Sequence, residues 1–171
     1  MLVNHSKLIG SPVIELKTQT NVGRVSDFVI SKHELKISGI VLDRALFSTV
    51  NAISASDIVE MAPNIVVVHD QKAVAPLNEA IRVNDAYREG FHGLYQKAVT
   101  KSGKTIGVVF DYLIDSGTLT IAKFYVRALV REKIIAAQSV IELRGKKLVI
   151  KDDFEKVPAE PSVVELNVAK S

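Results

Sequence analysis

A ten-residue pattern occurs twice in this chain and limits its fold more than any other feature. Asn21-Val22-Gly23-Arg24-Val25-Ser26-Asp27-Phe28-Val29-Ile30 returns 84 residues later as Thr105-Ile106-Gly107-Val108-Val109-Phe110-Asp111-Tyr112-Leu113-Ile114. Both stretches read apolar, Gly, variable, Val, variable, Asp, aromatic, aliphatic, aliphatic. The match continues at the same offset, pairing Leu35-Lys36-Ile37 with Leu119-Thr120-Ile121, and Ile40 and Leu42 with Phe124 and Val126. It then changes to 82, pairing Ile58-Val59-Glu60 with Val140-Ile141-Glu142 and Val66-Val67-Val68 with Leu148-Val149-Ile150. Upstream it is 86, pairing Leu8 and Val13 with Leu94 and Val99. Registers that hold within segments and shift only in turns, where length changes cost little, are the mark of a repeated structural unit.

The repeat divides the 171 residues into two small domains, at 6–76 and 90–155, with a linker at 77–89 and a tail at 156–171. Units of this size bury modest cores, so docking of one on the other is expected to help stabilise both. Within each unit the pattern has period two. Val25, Asp27 and Val29 fall on one face of a strand over 22–31, and a short turn at Lys32-His33-Glu34 leads to a second alternating run, Leu35 to Leu42. Asp115-Ser116-Gly117-Thr118 makes the same turn in the second unit. About six short strands per unit predict an all-β fold of small barrels or sandwiches. Residues 1–7 read as a fraying start. Pro76 to Arg82 reads as the beginning of a short helix, with Leu77, Ala80, Ile81 and Asp85 sharing a face. Val163 to Val168 in the tail reads as a strand able to join an exposed edge.

Composition narrows the function classes. Without cysteine there is neither a disulfide framework nor thiolate chemistry. The apolar runs are short strands such as Ile65 to Val68, far below the roughly 20 residues of a membrane span, and Met1 to Gly10 carries no secretory signal. A cytoplasmic protein is expected. The net charge of +3 permits an anionic partner without demanding one.

The residues that could carry chemistry read mostly as scaffold. Gly23 and Gly107 lack the second glycine and the Lys-Ser/Thr of a phosphate loop, and a lone glycine in a strand more often allows a bend or a close backbone approach. Asp27 and Asp111 occupy equivalent places beside Phe28 and Tyr112. They are expected to accept backbone N–H bonds at a turn or bulge rather than to act as an acid–base pair. His5, His33, His69 and His92 have no metal-pair spacing, and no serine sits in a nucleophile elbow. No catalytic residue, cofactor or metal is expected. Lys97, Lys101 and Lys104, with Arg144, Lys146 and Lys147, form two basic turns that could join into an anion or RNA patch. Stacking platforms would have to come from Tyr95, Tyr112 or Tyr125.

The ordered series Leu8-Ile9-Gly10-Ser11-Pro12-Val13, Val22-Gly23-Arg24-Val25 with Asp27, Ile40-Val41-Leu42 and Ile53 to Ile58 resembles the PRC-barrel family. So does its second run: Val99, Lys101-Ser102-Gly103-Lys104, Ile106-Gly107-Val108-Val109 with Asp111, and Ala137 to Ile141. This family's small barrel occurs in the cytoplasmic part of a photosynthetic reaction-centre protein and in the C-terminal domain of the ribosome-maturation factor RimM. The resemblance implies two tandem PRC-like barrels acting as a non-enzymatic adaptor. Such a protein would bind a partner protein, or a second copy of itself, through exposed loops (Asp43 to Asn51, Ala128 to Ile134) or a strand edge. Two alternatives follow from the same relatives: an RNA-associated ribosome-assembly factor, and an accessory of photosynthesis or electron transfer. There is no membrane helix like that of the reaction-centre protein. Thr18 to Asn21 also departs from the family's usual glycine turn.

Overall fold

The computed structural model describes residues 1–43 and 48–156. Its elements in chain order are β1 (Leu2–Asn4), β2 (Pro12–Glu15), β3 (Asn21–Ser31), β4 (Lys36–Leu42), β5 (Asn51–Ser54), β6 (Ile58–Ala62), β7 (Ile65–Val68) and β8 (Ala75–Pro76). After these come the helix α1 (Ile81–Arg88), then β9 (Lys97–Thr100), β10 (Thr105–Asp115), β11 (Thr120–Ala128), β12 (Arg131–Ala136), β13 (Val140–Arg144) and β14 (Lys147–Ile150). The fold is thus all-β with one short helix among the described residues.

The strands form one sheet whose main path runs β13-β14-β9-β10-β11-β4-β3-β2-β7-β6. That order reads the same way from either end once residues are matched by the sequence offsets. In the first half β2 pairs antiparallel with β3 and parallel with β7; in the second, β9 pairs antiparallel with β10 and parallel with β14. The long strands break register at matching points, between Val25 and Asp27 and between Val109 and Asp111, then between Val29 and Ile30 and between Leu113 and Ile114. An extra residue at such a bulge bends the strand and sharpens its twist. The path as paired does not close on itself: β6 and β13 stand at its ends.

The halves meet edge to edge where β4 pairs with β11 at Lys36 and Thr120. There Ile37 donates its N–H to the Leu119 carbonyl at 2.8 Å, and Ile121 donates to the Leu35 carbonyl at 2.8 Å. Each bond repeats the other at an offset of 84 residues. Leu35 and Leu119 both take left-handed conformations, with φ of 49° and 58°, uncommon for a bulky residue. Both leucine side chains pack on the common core.

That core is continuous across the junction. Leu8, Phe28, Ile40 and Met61 from the first half and Tyr112, Phe124, Ile135 and Leu148 from the second belong to one buried cluster. A second, smaller cluster of Val29, Val41, Ala52, Leu77, Val83 and Ala86 lies between the outer face of the first half and α1.

Three expectations need correction. Residues 1–7 do not fray: β1 pairs with β10 of the other half, and the 3-10 turn His5–Lys7 buries His5. The pairing uses a sheet edge that the near-apolar Leu2-Val3 can satisfy, and Val3 is 2 % exposed. The helix starts five residues later than Pro76, which instead joins β8 opposite Asn51. It also turns a different face inward, burying Val83 and Ala86 and leaving Ile81 71 % exposed. The expected tail strand at 163–168, and residues 44–47 of the first expected docking loop, lie outside the described residues.

Candidate functional site

Asp27 and Asp111 sit at the matching bulges, and each accepts the N–H of the aromatic residue that follows it. Phe28 donates to Asp27 at 2.8 Å and Tyr112 to Asp111 at 2.9 Å. Their second partners are exchanged between the halves. Asp111 accepts from Asn4 Nδ2 at 3.0 Å, from the Ser6 N–H at 3.1 Å and from the Ser6 hydroxyl at 2.7 Å. Asp27 faces His92 Nδ1 at 3.5 Å. Ser6 and His92 are themselves equivalent at the upstream offset of 86. The segment leading into each half therefore clamps the carboxylate of the other.

Between the clamps lies a closed polar–aromatic cluster. The His5 ring lies 4.5 Å from that of Tyr112 and 5.5 Å from that of Phe28. Both His5 ring nitrogens and the Tyr112 hydroxyl are buried without a protein hydrogen-bond partner among the described residues. Burial holds the His5 pKa down to about 4, against an upward pull from Asp111. Burial pushes the Tyr112 phenol well up, reinforced by the Asp27 and Asp111 carboxylates. Asp27 is raised, again mainly by burial, with the Phe28 N–H and His92 opposing. At 3 % and 0 % exposure, His5 and Tyr112 offer no surface to a substrate. The geometry here shapes backbone and couples the halves.

Gly23 and Gly107 lie in β3 and β10 with φ of 154° and 156°. A Cβ on Gly107 would stand 2.5 Å from the Arg127 carbonyl oxygen, whereas the nearest described atoms to one on Gly23 belong to the Leu42 side chain, from 3.0 Å.

The two basic turns converge on the outer face of the second half. Lys147 and Lys97 are register partners, and the Lys97 N–H donates to the Lys146 carbonyl at 3.2 Å. Lys101, Arg144 and Lys147 line one open cavity of about 290 Å³ with Thr100 and Glu142. Lys104 is fixed in the β9–β10 turn, where its N–H donates to the Thr100 hydroxyl at 3.0 Å. Acids dilute this group. Glu142 pairs with Arg144, and Asp152, held below the usual carboxylate range mainly by hydrogen bonds from Ser102, lies beside the turn.

The face extends further than the basic turns. Register partners run straight across five strands, from Lys147 to Lys97, Val108, Arg127 and Glu132. Directly opposed residues share a face. On β11, Lys123, Tyr125 and Arg127 alternate outward, as period two requires. Arg127 lies 4.2 Å from the Phe110 ring centroid, Phe110 lies 6.2 Å from Tyr125, and Lys123 lies 5.9 Å from Tyr125. The β11 part of this cation–aromatic series follows from its alternation. Phe110 does not, because the bulge beside it breaks the period. Tyr112, one of the three expected stacking platforms, is buried. Tyr95 is 80 % exposed, in a left-handed conformation with φ of 60°.

At the end of the β11–β12 hairpin, Leu129 and Val130 are 97 % and 94 % exposed. Beside them Arg127 pairs with Glu132 at 2.6 Å, and Lys133 pairs with Glu155. No group of His, Asp or Glu able to hold a metal ion occurs among the described residues. No helix among them is long and apolar enough to cross a membrane. No protein-family model matches this chain, and no curated protein is significantly similar to it.

Proposed function

We propose that the chain is a non-enzymatic, protein-binding adaptor in which two PRC-like barrels, arranged in tandem, form a rigid platform. The matched pairings, bulges and glycines of the two halves support the tandem reading, and the edge-to-edge bonds of Ile37 and Ile121 support its rigidity. The docking point is the β11–β12 hairpin of the second half.

One observation carries this. In the first half the hairpin strand β5 is covered on its outer edge by β8, and the adjoining sheet face by α1. In the second half β12 has β11 as its only strand partner among the described residues, and its tip holds out Leu129 and Val130. Two adjacent aliphatic side chains in full contact with water gain most when a partner covers them, at about 25 cal/mol per Å² of apolar surface removed from water. That edge, without a second strand partner among the described residues, offers backbone donors and acceptors to an added strand.

The test is capture of binding proteins from the native host on immobilised full-length chain, against a Leu129→Asp/Val130→Asp variant. The expected outcome is one stoichiometric protein that the variant loses while keeping the wild-type circular dichroism spectrum. Retention of the same protein by the variant defeats the proposal.

A further inference from the structure

Matched positions on the outer faces of the two halves differ in a directed way. In the first half Gly39 and Val41 of β4 lie under α1; a Cβ on Gly39 would stand 2.8 Å from Val83. Lys123 and Tyr125 of β11 hold the equivalent positions in the second half, as their register partners show: Gly39 faces Val29 and Lys123 faces Leu113, while Val41 faces Asp27 and Tyr125 faces Asp111. Where the first half has the small apolar residues that let a helix lie down, the second has a cation, a phenol ring and no helix among the described residues.

We infer that the outer face of β9, β10 and β11 binds a single-stranded nucleic acid. Three observations select this ligand. First, the rings of Phe110 and Tyr125 and the guanidinium of Arg127, stacked over Phe110, are flat surfaces of the kind on which unpaired bases stack. Second, Lys123 and Arg127 flank those rings, and Lys97 and Lys147 continue the row two strands on. At about 4.8 Å per strand, the row from Lys147 to Arg127 spans roughly 14 Å, enough to follow a backbone past more than one phosphate. Third, neither Lys97 nor Lys147 forms an ion pair with an acidic side chain among the described residues, so their charge is available to an anion. An acidic peptide would answer the charge and leave the rings unused. This inference goes beyond the adaptor reading and uses a different surface from the hairpin tip.

The test is fluorescence anisotropy of labelled oligo(U) and oligo(dT) with the full-length protein. Binding is expected, with log K falling against log salt at a slope of about −2, since Lys97, Lys123 and Lys147 each contribute about −0.7 on a single strand while Arg127 is paired with Glu132. Lys97→Glu/Lys147→Glu, both at exposed strand ends, should weaken binding about tenfold or more. Tyr125→Leu should weaken it about tenfold while Tyr125→Phe stays within about twofold, because stacking needs the ring and not the hydroxyl. Leu129→Ser/Val130→Ser, which removes the apolar tip without placing new charge beside Arg127, should leave it unchanged, so failure of the adaptor reading and failure of this one remain distinguishable.

Several results overturn the inference. One is the absence of binding to either oligonucleotide at low salt. Another is binding that the lysine pair does not alter, a readout that stands even if Tyr125→Leu fails to fold. Equal affinity for duplex, or displacement by polyglutamate of matched charge, also overturns it, since neither presents bare bases.

Discussion

Gly39 of β4 lies so close to α1 that a Cβ added to it would stand 2.8 Å from Val83 Cγ2 and 2.5 Å from the Ile53 carbonyl oxygen. The helix can swing away from the first contact, but backbone fixed in the sheet cannot yield to the second. Gly39→Ala is therefore expected to lower stability by about 1–3 kcal/mol, the usual range for overpacking a well-filled site. Urea denaturation reads the loss, and amide exchange should quicken in residues 81–88 ahead of the rest. Unchanged exchange in α1 would show that the glycine does not seat the helix.

Asp111 holds four donors, three of them from the segment that opens the other half, whereas among the described residues Asp27 has the Phe28 N–H and His92. Asp111→Ala strands the Asn4 and Ser6 groups in a part-buried site and should cost about 3 kcal/mol, the upper range for hydrogen bonds to a charged group. Asp27→Ala should cost less than half of that. Denaturant midpoints of the two variants, compared at equal m-value, decide the order.

Acid should weaken the fold before carboxylates titrate. The folded pKa of His5 is held down to about 4 and the unfolded value is 6.5, so the unfolded chain takes up a proton first. The contribution of buried neutral His5 is complete above pH 6.5 and is lost as pH falls toward 4, amounting to about 3 kcal/mol at 1.36 kcal/mol per pH unit. Asp111 pulls the other way on His5, and the Tyr112 and Phe28 rings facing it carry no charge in this window. Asp27 has a raised folded pKa, so its protonation returns some stability as pH falls through that raised value, above the ordinary 3.8, and offsets part of the His5 loss. Denaturation midpoints between about pH 7.5 and 4.5 should slope downward in the wild type and flatten in His5→Phe.

The two strand glycines should respond unequally to the same change. At Gly107 a methyl group meets the Arg127 carbonyl at 2.5 Å; at Gly23 it meets the mobile end of Leu42 at 3.0 Å. Both carry the cost of a positive φ that residues with a Cβ rarely adopt, about 1–3 kcal/mol. Gly107→Ala should add about 1–3 kcal/mol more, since backbone cannot move aside. Thermal unfolding of the two variants should place Gly107→Ala several degrees below Gly23→Ala, and equal melting temperatures would refute the distinction.

The strands are readable in sequence because period-two alternation follows from the side-chain geometry of any strand with one buried face. The hairpins of β3 with β4 and β10 with β11 stand where Lys32-His33-Glu34 and Asp115-Ser116-Gly117-Thr118 place their turns. The helix escapes local reading because tertiary docking selects Val83 and Ala86 for the inner face, while Ile81 faces solvent. Residues 1–7 escape it for a related reason. Their strand is made by a partner about 110 residues away, and no local pattern records that. Within the candidate surface, Lys97 and Lys147 are visible as turn residues. Their alignment with Val108 and Arg127 depends on a parallel pairing and a bulge, which composition does not encode.

The crossed clamps of Ser6 on Asp111 and of His92 on Asp27 bear on any attempt to study the halves apart. A cut between Arg88 and Phe91 would leave the first fragment carrying the serine that its neighbour needs and missing the histidine that it needs itself. Each isolated piece would hold, at the bend of its longest strand, an acid stripped of its partner from the other half. Mixing the pieces, by contrast, gives each its missing complement, so a split chain should recover its fold only when both fragments are present.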